Sequence, residues 1–147
     1  MSACCFIGHN RWLYHTDILV DIQEAAESLI QHGVDQFYNA CLGRFEWNCA
    51  IAIYLLQSKY PSIKQDLVFP SRRCSFHIDT DENSFFNRVI YVDQNTAVDW
   101  MIAHSQHMIC FVEHDCGMTS TYVQRAKQAG LNIIRVGHSD YHYPCHL

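Results

Sequence analysis

An arginine and a carboxylate, Arg44 and Glu46, stand two residues apart where a short apolar run gives way to a helical pattern. The stretch reads Asn39-Ala40-Cys41-Leu42-Gly43-Arg44-Phe45-Glu46. In an open α/β sheet such a junction faces the ligand crevice, because strand ends and helix N-termini point into it together. The first amides of a helix lack partners within it, and the helix dipole attracts anions. Gly43 permits a tight turn, Arg44 brings a permanent charge suited to phosphate, and Glu46 brings a carboxylate able to stabilise a developing positive charge. The plain alternative is that Arg44 pairs with a surface carboxylate and Glu46 only complements the dipole.

Two more polar turns belong with this one. Gly8-His9-Asn10-Arg11 follows the first apolar run, and Glu113-His114-Asp115-Cys116-Gly117 leads into Thr119-Ser120-Thr121. His9 could donate to a phosphate or ribose, or cap a neighbouring strand end. The hydroxyls after Gly117 could bind phosphate beside backbone amides, or cap a helix, and capping is expected of at least one of them. The ligand-binding candidates are therefore Gly8, His9, Arg11, Asn39, Gly43, Arg44, Glu46, Cys116, Gly117, Thr119 and Thr121, with Glu46 and Glu113 as the candidate catalytic carboxylates.

Ten histidines and eight cysteines raise the question of metal. No Cys-x-x-Cys pair exists, Cys4 and Cys5 would point to opposite faces of a strand, and His104 and His107 straddle a helix end and a strand start. The tail groups His138, His142, Cys145 and His146 suit zinc chemically but match no established spacing. The expectation is no metal, with that tail as the alternative. Nor is there a Gly-x-Ser-x-Gly nucleophile elbow. With a large apolar complement and no visible export signal, the cysteines read as reduced thiols, several of them small core hydrophobes, in a cytoplasmic protein.

The elements that must hold these turns follow from periodicity. Strands are expected at residues 3–7, 34–39, 63–69, 89–92, 108–112 and 131–136. Helices are expected from Thr16 to Gly33, from 45 to 58, through Val98 to Ile102 behind Asn95 or Thr96, and from 119 to 129. The second helix is apolar on nearly every face and reads as central and buried. Residues 71–87 read as a loop with a short helix, a candidate lid, and 137–147 as an irregular tail. Alternating strands and helices imply one α/β domain spanning 1–147: a doubly wound, mostly parallel sheet of about six strands with helices on both faces. Right-handed crossovers bring the three polar turns to one rim. A formal charge of −5 argues against nucleic acid and anionic membranes as partners, and no run is long enough to span a bilayer.

Taken in order, these turns resemble the SLOG superfamily, a Rossmann-like group that includes the YpsA-like proteins and the cytokinin-activating lysine-decarboxylase-like enzymes. The YpsA-like branch is the nearest. Its Cys-Cys-Phe-x-Gly-His-Arg corresponds to Cys4-Cys5-Phe6-Ile7-Gly8-His9-Asn10-Arg11. Its Phe-Tyr, glycine loop and Gly-x-Phe-Asp correspond to Phe37-Tyr38 and Gly43-Arg44-Phe45-Glu46, and its Tyr-Pro-x-Ile to Tyr60-Pro61-Ser62-Ile63. The resemblance implies a nucleotide or NAD-derived ligand, bound as a sensor or sequestering protein, with no certain cofactor. Three departures stand beside it. Asn10 displaces an arginine, Asn39-Ala40 replaces a glycine pair, and the Pro-Gly-Gly-x-Gly-Thr-x-x-Glu loop of the catalytic members lacks its glutamate here. An N-glycosidic hydrolase, with Glu46 or Glu113 facing an oxocarbenium-like ribose, is the enzymatic alternative. A homo-oligomeric interaction domain without a ligand is the third.

Overall fold

The computed structural model describes residues 2–8, 18–70, 85–93, 96–112 and 117–137. Ten elements follow one another: β1 (Ser2–Gly8), α1 (Ile18–Gln31), β2 (Val34–Asn39), α2 (Arg44–Gln57), β3 (Lys64–Pro70), β4 (Arg88–Val92), α3 (Ala97–Ala103), β5 (His107–Phe111), α4 (Gly117–Gln128) and β6 (Asn132–Arg135). The strands form a six-stranded sheet in the order β4-β3-β2-β1-β5-β6, and every pairing in it is parallel. All strand C-terminal ends therefore lie along one rim, and the order reverses between β1 and β5.

Strand alternation assigns the two cores. Cys4 and Phe6 face α1 and α2, together with Phe37, Ile109 and Phe111. Cys5 and Ile7 face α3 and α4, together with Val68, Met108 and Cys110. The central strands are apolar on both faces because helices cover both. α1 follows its expected period: Ile18, Ile22, Ala26 and Leu29 are buried, and Gly33 after its end adopts φ +104°, a left-handed stop that favours glycine. The four cysteines at positions 4, 5, 49 and 110 are buried free thiols, and burial pushes each thiol up, that of Cys5 to about 12.

α2 departs from expectation. Phe45, Cys49, Ala52, Ile53 and Leu56 are buried against the sheet and α1, but Trp47, Tyr54 and Leu55 are about half exposed. The sheet and a neighbouring helix cover only part of a cylinder, so an all-round apolar pattern does not by itself bury a helix. Part of the outer face is met by Phe85, whose ring sits edge-on to Trp47 and Tyr54 at 6.3 and 4.9 Å between centroids. The expected lid falls mostly on residues 71–84, which lie outside the described residues. β6 is shorter than expected at four residues, and α4 starts two residues early, at Gly117. No described helix is long and apolar enough to cross a membrane.

Candidate functional site

The rim of the sheet at β2, β1 and β5 brings Gly8, the β2–α2 turn and the start of α4 together, with Gly8 between the other two. A Cβ at Gly8 would fall 2.4 Å from Cδ2 and 2.5 Å from Cγ of Phe45. Its absence lets the Phe45 ring lie on the end of β1, where it also stacks on Phe111 at 6.0 Å. That contact draws the first turn of α2 onto the strand. The Gly8 N–H then donates to Glu46 Oε1 at 3.1 Å, and the Gly8 carbonyl accepts a long hydrogen bond from the Thr119 hydroxyl at 3.4 Å. One peptide segment thus links the starts of α2 and α4 across the point where the strand order reverses.

The β2–α2 turn is held from within. Asn39 is fully buried; its side-chain amide donates to the Glu46 carbonyl at 2.7 Å, and its oxygen accepts from the Cys41 N–H at 2.8 Å. The latter closes an Asx-type turn around Cys41, which sits at φ +50° without being glycine. Such a conformation costs about 1 kcal/mol for an ordinary residue, and the Asn39 bonds offset it. Asn39, expected to contact a ligand, has both ends of its side chain engaged inside the turn. Gly43, in extended backbone, is the N-cap residue and offers α2 no side-chain cap.

Glu46 is not on the surface of the crevice: it is 1% exposed. Burial raises its carboxyl from the usual 4.5 to about 7, against the pull of the backbone amides of Glu46 itself, Gly8 and Gly43. Of those amides only Gly8 forms a regular hydrogen bond with it, and Oε2 is buried without a partner. Arg44, by contrast, is exposed, and among the described residues its guanidinium has no hydrogen bond or ion pair. It stands exposed at the head of α2.

Gly117 opens α4 at φ +89°, and Thr121 donates to the Gly117 carbonyl at 3.1 Å. The Thr119 and Thr121 hydroxyls thus both donate to carbonyls. Beside them a cavity of about 230 Å³ is lined by Val112, Gly117, Ser120, Thr121, Val123, Gln124 and Arg135. Sequence reasoning missed Arg135. The signal was present, because an arginine at the C-terminal end of a strand in a parallel sheet must lie at the rim. His9, Arg11, Glu113 and Cys116 lie outside the described residues, as do His138, His142, Cys145 and His146. Among the described residues no three histidine, cysteine, aspartate or glutamate side chains converge as a metal site. His104 is engaged with Trp100: its Nδ1–H donates to the Trp100 carbonyl at 2.7 Å and its ring stacks on the indole.

No protein-family model matches the chain, and no curated protein does. Solved structures do. TM1055, a structural-genomics target, superposes with a TM-score of 0.59 at 8% identity, over 90% of this chain and 72% of that one. The Moco carrier protein from Chlamydomonas reinhardtii superposes with a TM-score of 0.57 at 12% identity, over 92% of this chain and 76% of that one. The chain has a Rossmann-like α/β fold. At such identities the likeness is one of fold, and the chemistry of the rim has to be argued from its own residues.

Proposed function

We propose that this chain, as a single SLOG-like domain of the YpsA-like branch, binds a nucleotide or NAD-derived ligand in the crevice at the strand C-terminal ends, as a sensor or sequestering protein. The observation that carries the reading is the junction at Gly8. It joins the starts of α2 and α4 where the strand order reverses, with the exposed guanidinium of Arg44, unpaired among the described residues, at the head of α2. The arginine suits phosphate, and Arg135 beside the neighbouring cavity adds a second cation. The Moco carrier protein, by its name a small-molecule carrier, shares this fold. The homo-oligomer belongs to the same proposal, because α2 turns Trp47, Tyr54 and Leu55 outward and has no charge from Trp47 to Ser58.

The test is a thermal-shift panel of AMP, ADP-ribose, cyclic ADP-ribose and NAD, with chromatography of each mixture. A stabilising shift without consumption supports binding, since ligand excess stabilises the folded state by RT ln(1 + [L]/Kd). Consumption makes the protein an enzyme, and no shift with any probe sinks the proposal. Arg44→Ala should abolish the shift while leaving the unliganded midpoint unchanged, because the side chain is exposed and unpaired. A large loss of unliganded stability would make Arg44 structural.

A further inference from the structure

We propose that the crevice takes up its anionic ligand together with a proton on Glu46. The inference rests on the reading that the crevice binds a phosphate-bearing ligand. Its geometric basis is a carboxyl that is buried, unpaired with any cation among the described residues, and one backbone segment away from the proposed anion site.

Among the described residues the groups facing Glu46 are few. Cys41 in the β2–α2 turn and Cys49 one turn along α2 are its titratable neighbours there, and Cys4 of β1 couples in turn to Cys49. Burial raises all three thiols, and the Glu46 charge also raises Cys41 and Cys49. They stay neutral and cannot compensate a carboxylate. Glu46 keeps its charge only through the amides of its own turn and of Gly8, and desolvation outweighs them. A phosphate at the start of α4 adds a second negative charge to this weakly held one. Along the path through Gly8, the Glu46 carboxylate and the Thr119 hydroxyl at the start of α4 are at most about 10 Å apart.

The response that leaves the junction intact is protonation. A proton from solvent settles on Oε2, whose lone pairs have no partner, while Oε1 continues to accept the Gly8 N–H. No hydrogen bond of the junction has to break. An anion binds best to the protonated form, so its affinity falls as pH rises through neutrality. Like charges about 10 Å apart at an effective dielectric near 20 make this roughly a tenfold effect between pH 6 and 8.5.

ADP-ribose is the probe, because its two phosphates stay fully ionised throughout that range. Titration calorimetry in buffers of different ionisation enthalpy should show uptake of roughly half a proton per ADP-ribose near pH 7.5. The dissociation constant should be about ten times larger at pH 8.5 than at pH 6. Glu46→Gln, a neutral isostere, should flatten that dependence. An imidazole is the other side chain able to titrate near neutrality, and His9 follows Gly8 in the chain, so a slope that survives Glu46→Gln overturns the assignment. Should that variant fail to fold, the side-chain carboxyl resonance in the 13C spectrum of the wild-type protein decides. A signal titrating near neutrality that moves upward with ADP-ribose supports the linkage, and one that does not move refutes it. Binding of ADP-ribose with equal affinity at both ends of the range refutes the linkage and leaves the binding function standing. Failure of every nucleotide probe to bind at any pH sinks both.

Discussion

Gly8→Ala tests whether the site is built on a missing side chain. The added Cβ would lie within 3 Å of three Phe45 carbons, closer than real Cβ atoms come to anything. Neither partner can give way cheaply. β1 is paired on both sides, with β2 and β5, and the Phe45 ring is fully buried against Phe111. Overpacking of this kind costs about 3 kcal/mol, at the upper end of the usual range, because it forces an off-rotamer ring or a shifted strand. Phe45→Leu removes the clashing ring edge but leaves a partly filled cavity, and should cost about 1.5 kcal/mol alone. In the double variant the alanine methyl occupies space the ring has left. The loss should then be about 2.5 kcal/mol, roughly 2 kcal/mol less than the two singles together. Urea unfolding at constant m-value measures all three. If the energies add within about 0.5 kcal/mol, or Gly8→Ala alone costs less than about 1 kcal/mol, the close approach of Phe45 to Gly8 is not what sets this corner.

Glu46 gives stability a pH dependence of defined sign. Its folded value of about 7 lies above the usual 4.5, so the folded state holds an extra proton between those values and stability falls as pH rises through that window. The loss from about pH 5 to 8 should approach 3 kcal/mol in wild type and be absent from Glu46→Gln, read as the difference in urea midpoints. Asp66, 1% exposed on β3, accepts from Arg88 Nε at 2.8 Å and from Gln36 Nε2 at 2.9 Å, both at Oδ2. Arg88→Ala leaves that buried carboxylate without its cation and should cost about 3 kcal/mol, whereas Asp66→Ala removes the charge itself and should cost about 2 kcal/mol. Equal or reversed losses would mean that water replaces the arginine. Lys59→Ala, which breaks an exposed pair with Glu27, should not move the midpoint measurably.

The layered architecture was legible because its signals are local. Apolar runs such as Cys4 to Ile7, the spacing of Ile18, Ile22, Ala26 and Leu29, and the stop at Gly33 each depend on a few adjacent residues. Alternation of those elements is enough to require a parallel sheet and a shared rim. What was not legible depends on contacts between distant segments. An acidic residue in the first turn of a helix reads as an exposed dipole partner, and nothing near Glu46 in the chain says that a backbone amide of β1 lies opposite it. The outward face of α2 reads as core because its neighbours in sequence are core. Arg135 stands one residue before the expected end of its strand at Val136, and the observed β6 ends on it.

These non-local features have one origin. Because Gly8 has no Cβ, Phe45 can lie on the strand; because Phe45 lies there, the first turn of α2 reaches the end of β1 and the Glu46 carboxyl leaves solvent. Burial removes the water that would hold the carboxylate, and only one amide hydrogen bond replaces it. The carboxyl therefore lies near its titration point at neutral pH, next to a backbone segment whose other side holds the start of α4. A larger residue at position 8 would push α2 outward, re-expose Glu46 and release Thr119 together. Stability, the proton affinity of Glu46 and ligand binding at the rim should accordingly fall as a group when position 8 is filled, and remain separable when Arg44, which is exposed and unpaired, is removed.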